Sequence, residues 1–180
     1  FDNWPRLVQI AWQLHDNQGA LIKAENYIIK PESFTIPFNS EKVHGISTKI
    51  ATEHGHQLDK ILKLFAADIE KATWLIGHNI EFDLSIMGAE FLRCKIESKL
   101  LETKEFCTKI ESTEFVAIEG KRKGKFKWPN LTELHIKLFG TGFGDAHDAA
   151  YDVDATAKCF FGLLTAKVRP PADDTLPENM

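Results

Sequence analysis

Two aspartates stand where acids are unwelcome. Asp83 lies three residues after Ile80 and four before Met87, and Asp152 lies beside Val153 and three residues after Ala149. On helices, both border an apolar stripe. A carboxylate partly withdrawn from water is costly unless it is paired or bound to a metal. Hard divalent cations take oxygen ligands, which makes aspartate a suitable side chain for them. The alternative for each is a helix-surface acid held by a salt bridge. His147 precedes Asp152 by five residues, which on a regular helix is about 140° around the axis. The two converge only if His147 sits at or before the first turn, and Gly140, Gly142 and Gly144 give the chain freedom to arrive there. A histidine beside a metal-bound water has the chemistry of a general base; its alternative is a local hydrogen bond in the first turn.

Other residues fit binding better than catalysis. Gly77-His78-Asn79 ends a short apolar run just before Asp83, and α/β sheets build sites at the carboxyl edge of such strands. Gly and Asn also serve ordinary strand-end turns. The loop Lys121-Arg122-Lys123-Gly124-Lys125-Phe126-Lys127-Trp128 carries five cations and two aromatic rings. It can follow phosphates while a ring stacks on a base, or it is a solvated basic loop with Trp128 in the core. His54 and His56 have no neighbouring cluster of metal-ligating residues. Cys94, Cys107 and Cys159 have no activating pattern and read as structural.

The elements that must hold these residues follow from periodicity. Residues 6–14 and 20–30 alternate around a turn cluster at 15–19, which is a β-hairpin. Residues 31–55 read as a long irregular connection. Leu58, Ile61, Leu62, Phe65 and Ile69 form the apolar stripe of a helix over 57–71. Residues 73–77 read as a buried strand, parallel by its continuous apolar run. Asn79 fits as the cap of a helix over 80–93, with Ile80, Leu84, Met87 and Phe91 on its stripe. A strand follows at 103–108. Asn130 caps a helix over 131–139, and Gly140 stops it. The last helix, 148–167, presents Ala149, Val153, Ala157, Phe160 and Leu164 to the core. The sum is an α/β domain with a mixed central sheet flanked by helices.

Composition sets outer limits. The 180 residues make one domain. Apolar residues are 43% and charged residues 27%, enough for a packed core. No apolar run is long enough to span a membrane. Three cysteines and no apolar leader point to the reducing cytoplasm. The net charge of −4 confines any attraction for nucleic acid to a local patch. Residues 1–168 form the domain, and the Pro-rich, acidic stretch 169–180 is expected to be a flexible tail.

Taken in order, the segments HGI at 44–46, GHNIEFD at 77–83 and AHDAAYD at 146–152 resemble the DEDDh 3′–5′ exonucleases. The likeness is to the second half of that family's ribonuclease-H-like domain, as in the proofreading domain of the DNA polymerase III epsilon subunit. The likeness runs from about residue 6 to 165 and includes KWPNLTELHIKLFG at 127–140. It implies a metal-dependent 3′–5′ exonuclease acting on single-stranded DNA ends, with two magnesium or manganese ions and possible attachment to a DNA polymerase. A ribonuclease or oligoribonuclease of the same family is one alternative, and a non-catalytic nucleic-acid-binding or polymerase-associated module is another. By resemblance, Asp83 and Asp152 hold metal and His147 is the catalytic base. His44, Gly45 and Ile46 flank the substrate's 3′ end, while Asn79 and Phe82 line the nucleotide pocket. The charge of the basic loop, apart from the resemblance, adds Lys121, Arg122 and Lys123 to the expected substrate contacts.

The family's first motif, Asp-x-Glu on a first strand, has no counterpart here, because Asp2 is followed by Asn3 and Trp4. That strand, central between the hairpin and 73–77, is expected to lie in an N-terminal segment outside residues 1–180. Without it the chain is expected to fold poorly by itself and to show no appreciable nuclease activity.

Overall fold

The computed structural model describes residues 4–144 and 148–168. The hairpin is β1 (Gln9–His15) and β2 (Leu21–Ile28), paired antiparallel with Ile10 opposite Tyr27 and Trp12 opposite Glu25. The segment expected to be irregular contains two short helices, α1 (Phe38–His44) and α2 (Thr48–His54). Each spans seven residues, and α1 buries none of its side chains, so there was no apolar stripe to reveal it. Then come α3 (Leu58–Ile69), β3 (Trp74–Gly77), α4 (Ile80–Cys94) and β4 (Lys104–Cys107). Two single-turn helices follow, α5 (Thr108–Glu111) and α6 (Thr113–Val116). The chain continues through α7 (Leu131–Phe139) and α8 (Ala149–Thr165).

The strands pair as two separate ribbons, β1 with β2 and β3 with β4, the second pair parallel. The fold class is the expected α/β arrangement with antiparallel and parallel pairing and flanking helices. Among the described residues, however, no strand joins β1 to β3. The core is divided in the same way. Ile10, Trp12, Leu62, Ile69, Met87 and Phe91 form one buried cluster beneath the hairpin. Phe106, Leu134, Cys159, Phe160 and Leu163 form another beneath β3 and β4. Helix α8 packs against both ribbons.

Two buried acids fasten the hairpin side. Asp68 accepts from Trp12 Nε1 at 3.0 Å, Lys23 Nζ at 2.8 Å and Lys71 Nζ at 2.9 Å. Burial alone would raise its pKa; the three donors outweigh it and hold the carboxyl at about 2. Glu90, fully buried in α4, accepts from Arg6 Nε and from the Leu7 amide, each at 2.9 Å. Arg93 Nη1 lies 3.3 Å from the same carboxylate oxygen and completes the cation pair around it. This ties the chain entering β1 to the middle of α4.

Candidate functional site

A cavity of about 850 Å³ lies between the ribbons and is lined by both β1 and β3. Asp83 from the first turn of α4 and Asp152 from the first turn of α8 both line it. The local fold explains how Asp83 gets there. A Cβ on Gly77 would come within 2.9 Å of Ile80 Cβ, so the glycine lets β3 turn directly into α4. Asn79 then adopts φ 80°, ψ 41°, a left-handed conformation that Asn tolerates better than most residues. It holds the N-cap position without capping by its side chain, contrary to expectation. Its Oδ1 accepts from Lys109 Nζ at 2.7 Å instead.

Asp83 is exposed, with its side chain on the cavity wall. Withdrawal from bulk water pushes its pKa from the ordinary 3.8 up to about 6. Among the described residues no cation pairs with it. Asp152 shares the cavity and is half-buried. Helix α8 is capped by Asp148, whose Oδ1 accepts from the Ala150 amide at 2.9 Å. His147 lies outside the described residues.

His78, also in the lining, acts as a strut. Its Nε2 is 3.1 Å from the Pro129 carbonyl and its Nδ1 is 3.0 Å from Thr108 Oγ1. A carbonyl only accepts, so Nε2 carries the proton. Burial lowers the pKa of this ring, which favours its neutral form. The strut ties the end of β3 to α5 and to the approach to α7.

The other sequence-predicted residues are spread around this centre. Asn79 and Phe82 belong to the same turn as Asp83 but lie outside the cavity lining. Phe82 is exposed and meets Trp4 edge-to-face, with ring centroids 6.4 Å apart. The 44–46 segment is also outside the lining. Gly45 closes α1 in the left-handed region at φ 72°, and His44 Nδ1 accepts from the Ile46 amide at 3.1 Å. Burial lowers the pKa of His44, and Ile46 packs with Ile36 and Ala51 in a small core of its own. Lys121, Arg122 and Lys123 are exposed on a hairpin-like loop, closed by the Gly120 amide on the Lys125 carbonyl at 2.8 Å. Trp128 is not in the core. It is 63% exposed, and Lys109 Nζ lies 4.5 Å from its ring.

Sequence reading overlooked Lys109, Glu90 and the strut role of His78. Glu90 sits three residues after Met87 and beside Phe91, so the helical period of α4 carried a signal for it. Lys109 had none.

Carboxylate oxygens suit a hard divalent cation, and Asp83 carries a charge that the described protein leaves unneutralised. Asp83 and Asp152 are the residues that would hold such an ion. The described residues contain no group of three His, Cys, Asp or Glu placed to hold a metal, so the set is short by itself. No helix among the described residues is long and apolar enough to cross a membrane.

A family model described as exonuclease matches residues 5–160. Among solved structures, E. coli exonuclease I with a dA16 oligonucleotide superposes with a TM-score of 0.69 at 18% identity, covering 89% of this chain and 37% of that one. The zinc-bound form of an E. coli exonuclease I complex with single-stranded DNA gives 0.71 at 18% identity, covering 89% and 36%. The complex with dT13 gives 0.71 at 18% identity, covering 90% and 38%. The chain thus spans less than two fifths of these proteins, and the likeness speaks for the fold. Among curated proteins, none matches.

Proposed function

Because the chain belongs to the exonuclease family, we propose that it forms the catalytic core of a metal-dependent 3′–5′ exonuclease acting on single-stranded DNA. The observation that carries this reading is Asp83, a carboxylate on the cavity wall with a raised pKa, unneutralised among the described residues, and sharing that cavity with Asp152. A divalent cation bound there, magnesium or manganese, would neutralise the phosphate and make a bound water acidic enough to attack. In this reading Asp83 and Asp152 hold the ion. His147 takes the proton from the attacking water. The loop bearing Lys121, Arg122 and Lys123 follows the strand's phosphates. Structures of exonuclease I bound to single-stranded oligonucleotides favour the single strand as substrate.

The test is a single-turnover assay with protein in excess over 5′-labelled DNA and RNA of one sequence, with magnesium or manganese. With the Asp-x-Glu acids also supplied, stepwise loss of nucleotides from the 3′ end, faster on DNA, is expected, and it should disappear in Asp83→Asn and in Asp152→Asn; residues 1–180 alone, with two carboxylates as ligands, should give no appreciable cleavage. Internal cuts, release from the 5′ end, or undiminished cleavage by either variant overturns the reading. Tight strand binding with no cleavage under any of these conditions supports a binding module instead.

A further inference from the structure

Lys109 is held by two neutral partners. Its Nζ donates to Asn79 Oδ1 at 2.7 Å and lies over the Trp128 ring, 4.5 Å from the centroid. Among the described residues no carboxylate forms an ion pair with this ammonium. An amide oxygen and an aromatic face fix a cation in place without cancelling its charge. That charge is felt nearby: burial is the main cause of the lowered His78 pKa, and the Lys109 charge lowers it further. An ammonium has three N–H donors, and the bond to Asn79 uses one. Lys127 is the contrast, since its Nζ sits 2.5 Å from Glu133 Oε1 and its charge is matched.

The backbone explains why Trp128 stands outside the core. The Lys127 amide donates to the Ile118 carbonyl at 2.9 Å, which holds the chain extended there. Pro129 biases Trp128 to stay extended as well. Successive side chains of an extended chain leave on opposite sides. Lys127 turns to Glu133 on α7, and Trp128 turns to Lys109 on α5. Lys109 covers one face of the indole, and an exposure of 63% leaves the other face to solvent. The position is also fixed relative to the cavity. The Pro129 carbonyl is bonded to His78 Nε2 at 3.1 Å, and Asn130 lines the cavity together with His78 and Asp83. On the far side of Lys109, Asn79 opens the turn that carries Asp83 to the same cavity. Asn79, Lys109 and Trp128 therefore run along the rim, anchored at both ends to segments that line it.

We propose that Lys109 and Trp128 form a further substrate-binding unit for single-stranded DNA at this rim. The Lys109 ammonium takes a backbone phosphate with its remaining donors, and the open indole face stacks the adjoining base. Neither residue lines the cavity, so the unit holds the strand beside the acids and takes no part in the chemistry. Stacking on an aromatic face accepts every base, so the unit fixes position rather than sequence. A charge alone would bind any polyanion; the ring next to it selects a strand whose bases are unpaired and free to stack. The inference rests on the nuclease reading for its substrate. It names a place on the surface separate from the Lys121, Arg122 and Lys123 loop, and it gives Lys109 a role that no sequence signal marked.

The test measures binding by the full chain, with EDTA present so that no strand is consumed. Two end-labelled strands of equal length are compared, the oligonucleotide dT8 and an abasic strand with the same phosphates and no bases. Wild type should prefer dT8. Trp128→Ala should weaken dT8 by about 5- to 150-fold, the range for one stacked base, and hardly change the abasic strand. Trp128→Phe, which keeps an aromatic face, should restore most of the preference. Lys109→Met should lower the salt slope by about 0.7 for both strands, the share of one phosphate. Equal weakening of the two strands by Trp128→Ala would make the ring a scaffold, and no weakening of either would place the strand elsewhere. An unchanged slope in Lys109→Met would remove the phosphate contact. Each of these overturns the inference and leaves the nuclease reading standing, which the cleavage assay of Asp83→Asn tests separately. A wild type that binds neither strand overturns both.

Discussion

The hairpin side and the cavity wall treat their acids in opposite ways. Asp68 and Glu90 are almost wholly enclosed, and each is met by cations and donors: Lys23, Lys71 and Trp12 for one, Arg6, Arg93 and the Leu7 amide for the other. The carboxyl of Asp68 is consequently held at about 2. Asp83 is exposed at the cavity, has no cation beside it among the described residues, and its pKa climbs to about 6. Where the fold uses a charge as a fastening, it supplies the countercharge. At Asp83 it leaves that to something from outside, which is the property a cation-dependent site needs.

The largest effects should come from breaking the fastenings. Removing one member of a buried ion pair strands the others, and Arg6 still reaches water, so Glu90→Ala should destabilise by about 2–4 kcal/mol. Asp68→Asn should cost about 1–2 kcal/mol at neutral pH, its lysine partners being partly solvated. The sign for Asp68 follows from its lowered pKa. Its contribution is present above the ordinary 3.8 and is lost as pH falls towards about 2. Denaturant unfolding of wild type and Asp68→Asn should therefore converge in that acid window. Parallel curves would mean that the three donors do not stabilise the ionised form.

Asp83→Asn should act in the reverse direction. A raised carboxyl pKa means that ionising the folded protein costs stability between the ordinary 3.8 and about 6. The variant should melt higher at neutral pH, by up to about 3 °C, because the open side of the cavity keeps the gain small. The gain should vanish below pH 4, where the wild-type group is protonated. A substitution that stabilises while removing chemistry is the mark of a site rather than a scaffold. A lower melting temperature at neutral pH would place Asp83 with Asp68 and Glu90.

Local signals explain what could be read from the sequence and what could not. Helix α7 was legible to the residue, because Asn130 and Glu133 form a reciprocal cap and Gly140 ends the helix in the left-handed region. All of that is written within eleven neighbouring positions. Asp83 and Asp152 were legible as acids beside apolar stripes. Asp68 and Glu90 carry the same local signal and have a different role. Their partners Lys23 and Arg6 lie 45 and 84 residues away, and only tertiary structure brings them together. The inner face of α8 was misread for a related reason: Ala149, Val153 and Ala157, expected in the core, are only half-buried and line the cavity. Its periodicity marks an apolar stripe but does not say which layer covers it.

The smallest stability effect should come from the basic loop. Replacing Lys121, Arg122 and Lys123 together by alanine should change stability by less than about 0.5 kcal/mol, since all three are exposed. The salt dependence of single-strand binding should fall in slope by about 2, near 0.7 for each phosphate that is no longer neutralised. Fluorescence titrations across a series of salt concentrations read this directly, and an unchanged slope would remove the loop from the binding surface.

The contrast between fastened and unfastened acids is tested most directly by NMR of the side-chain carboxyl carbons during a magnesium titration near pH 6, where Asp83 is about half protonated. Magnesium should drive Asp83 to its ionised form and shift Asp152 over the same concentration range, while Asp68 and Glu90 stay still. An Asp83 signal indifferent to magnesium, or one that responds no more than Asp68 and Glu90 do, would contradict a cation site at the cavity wall.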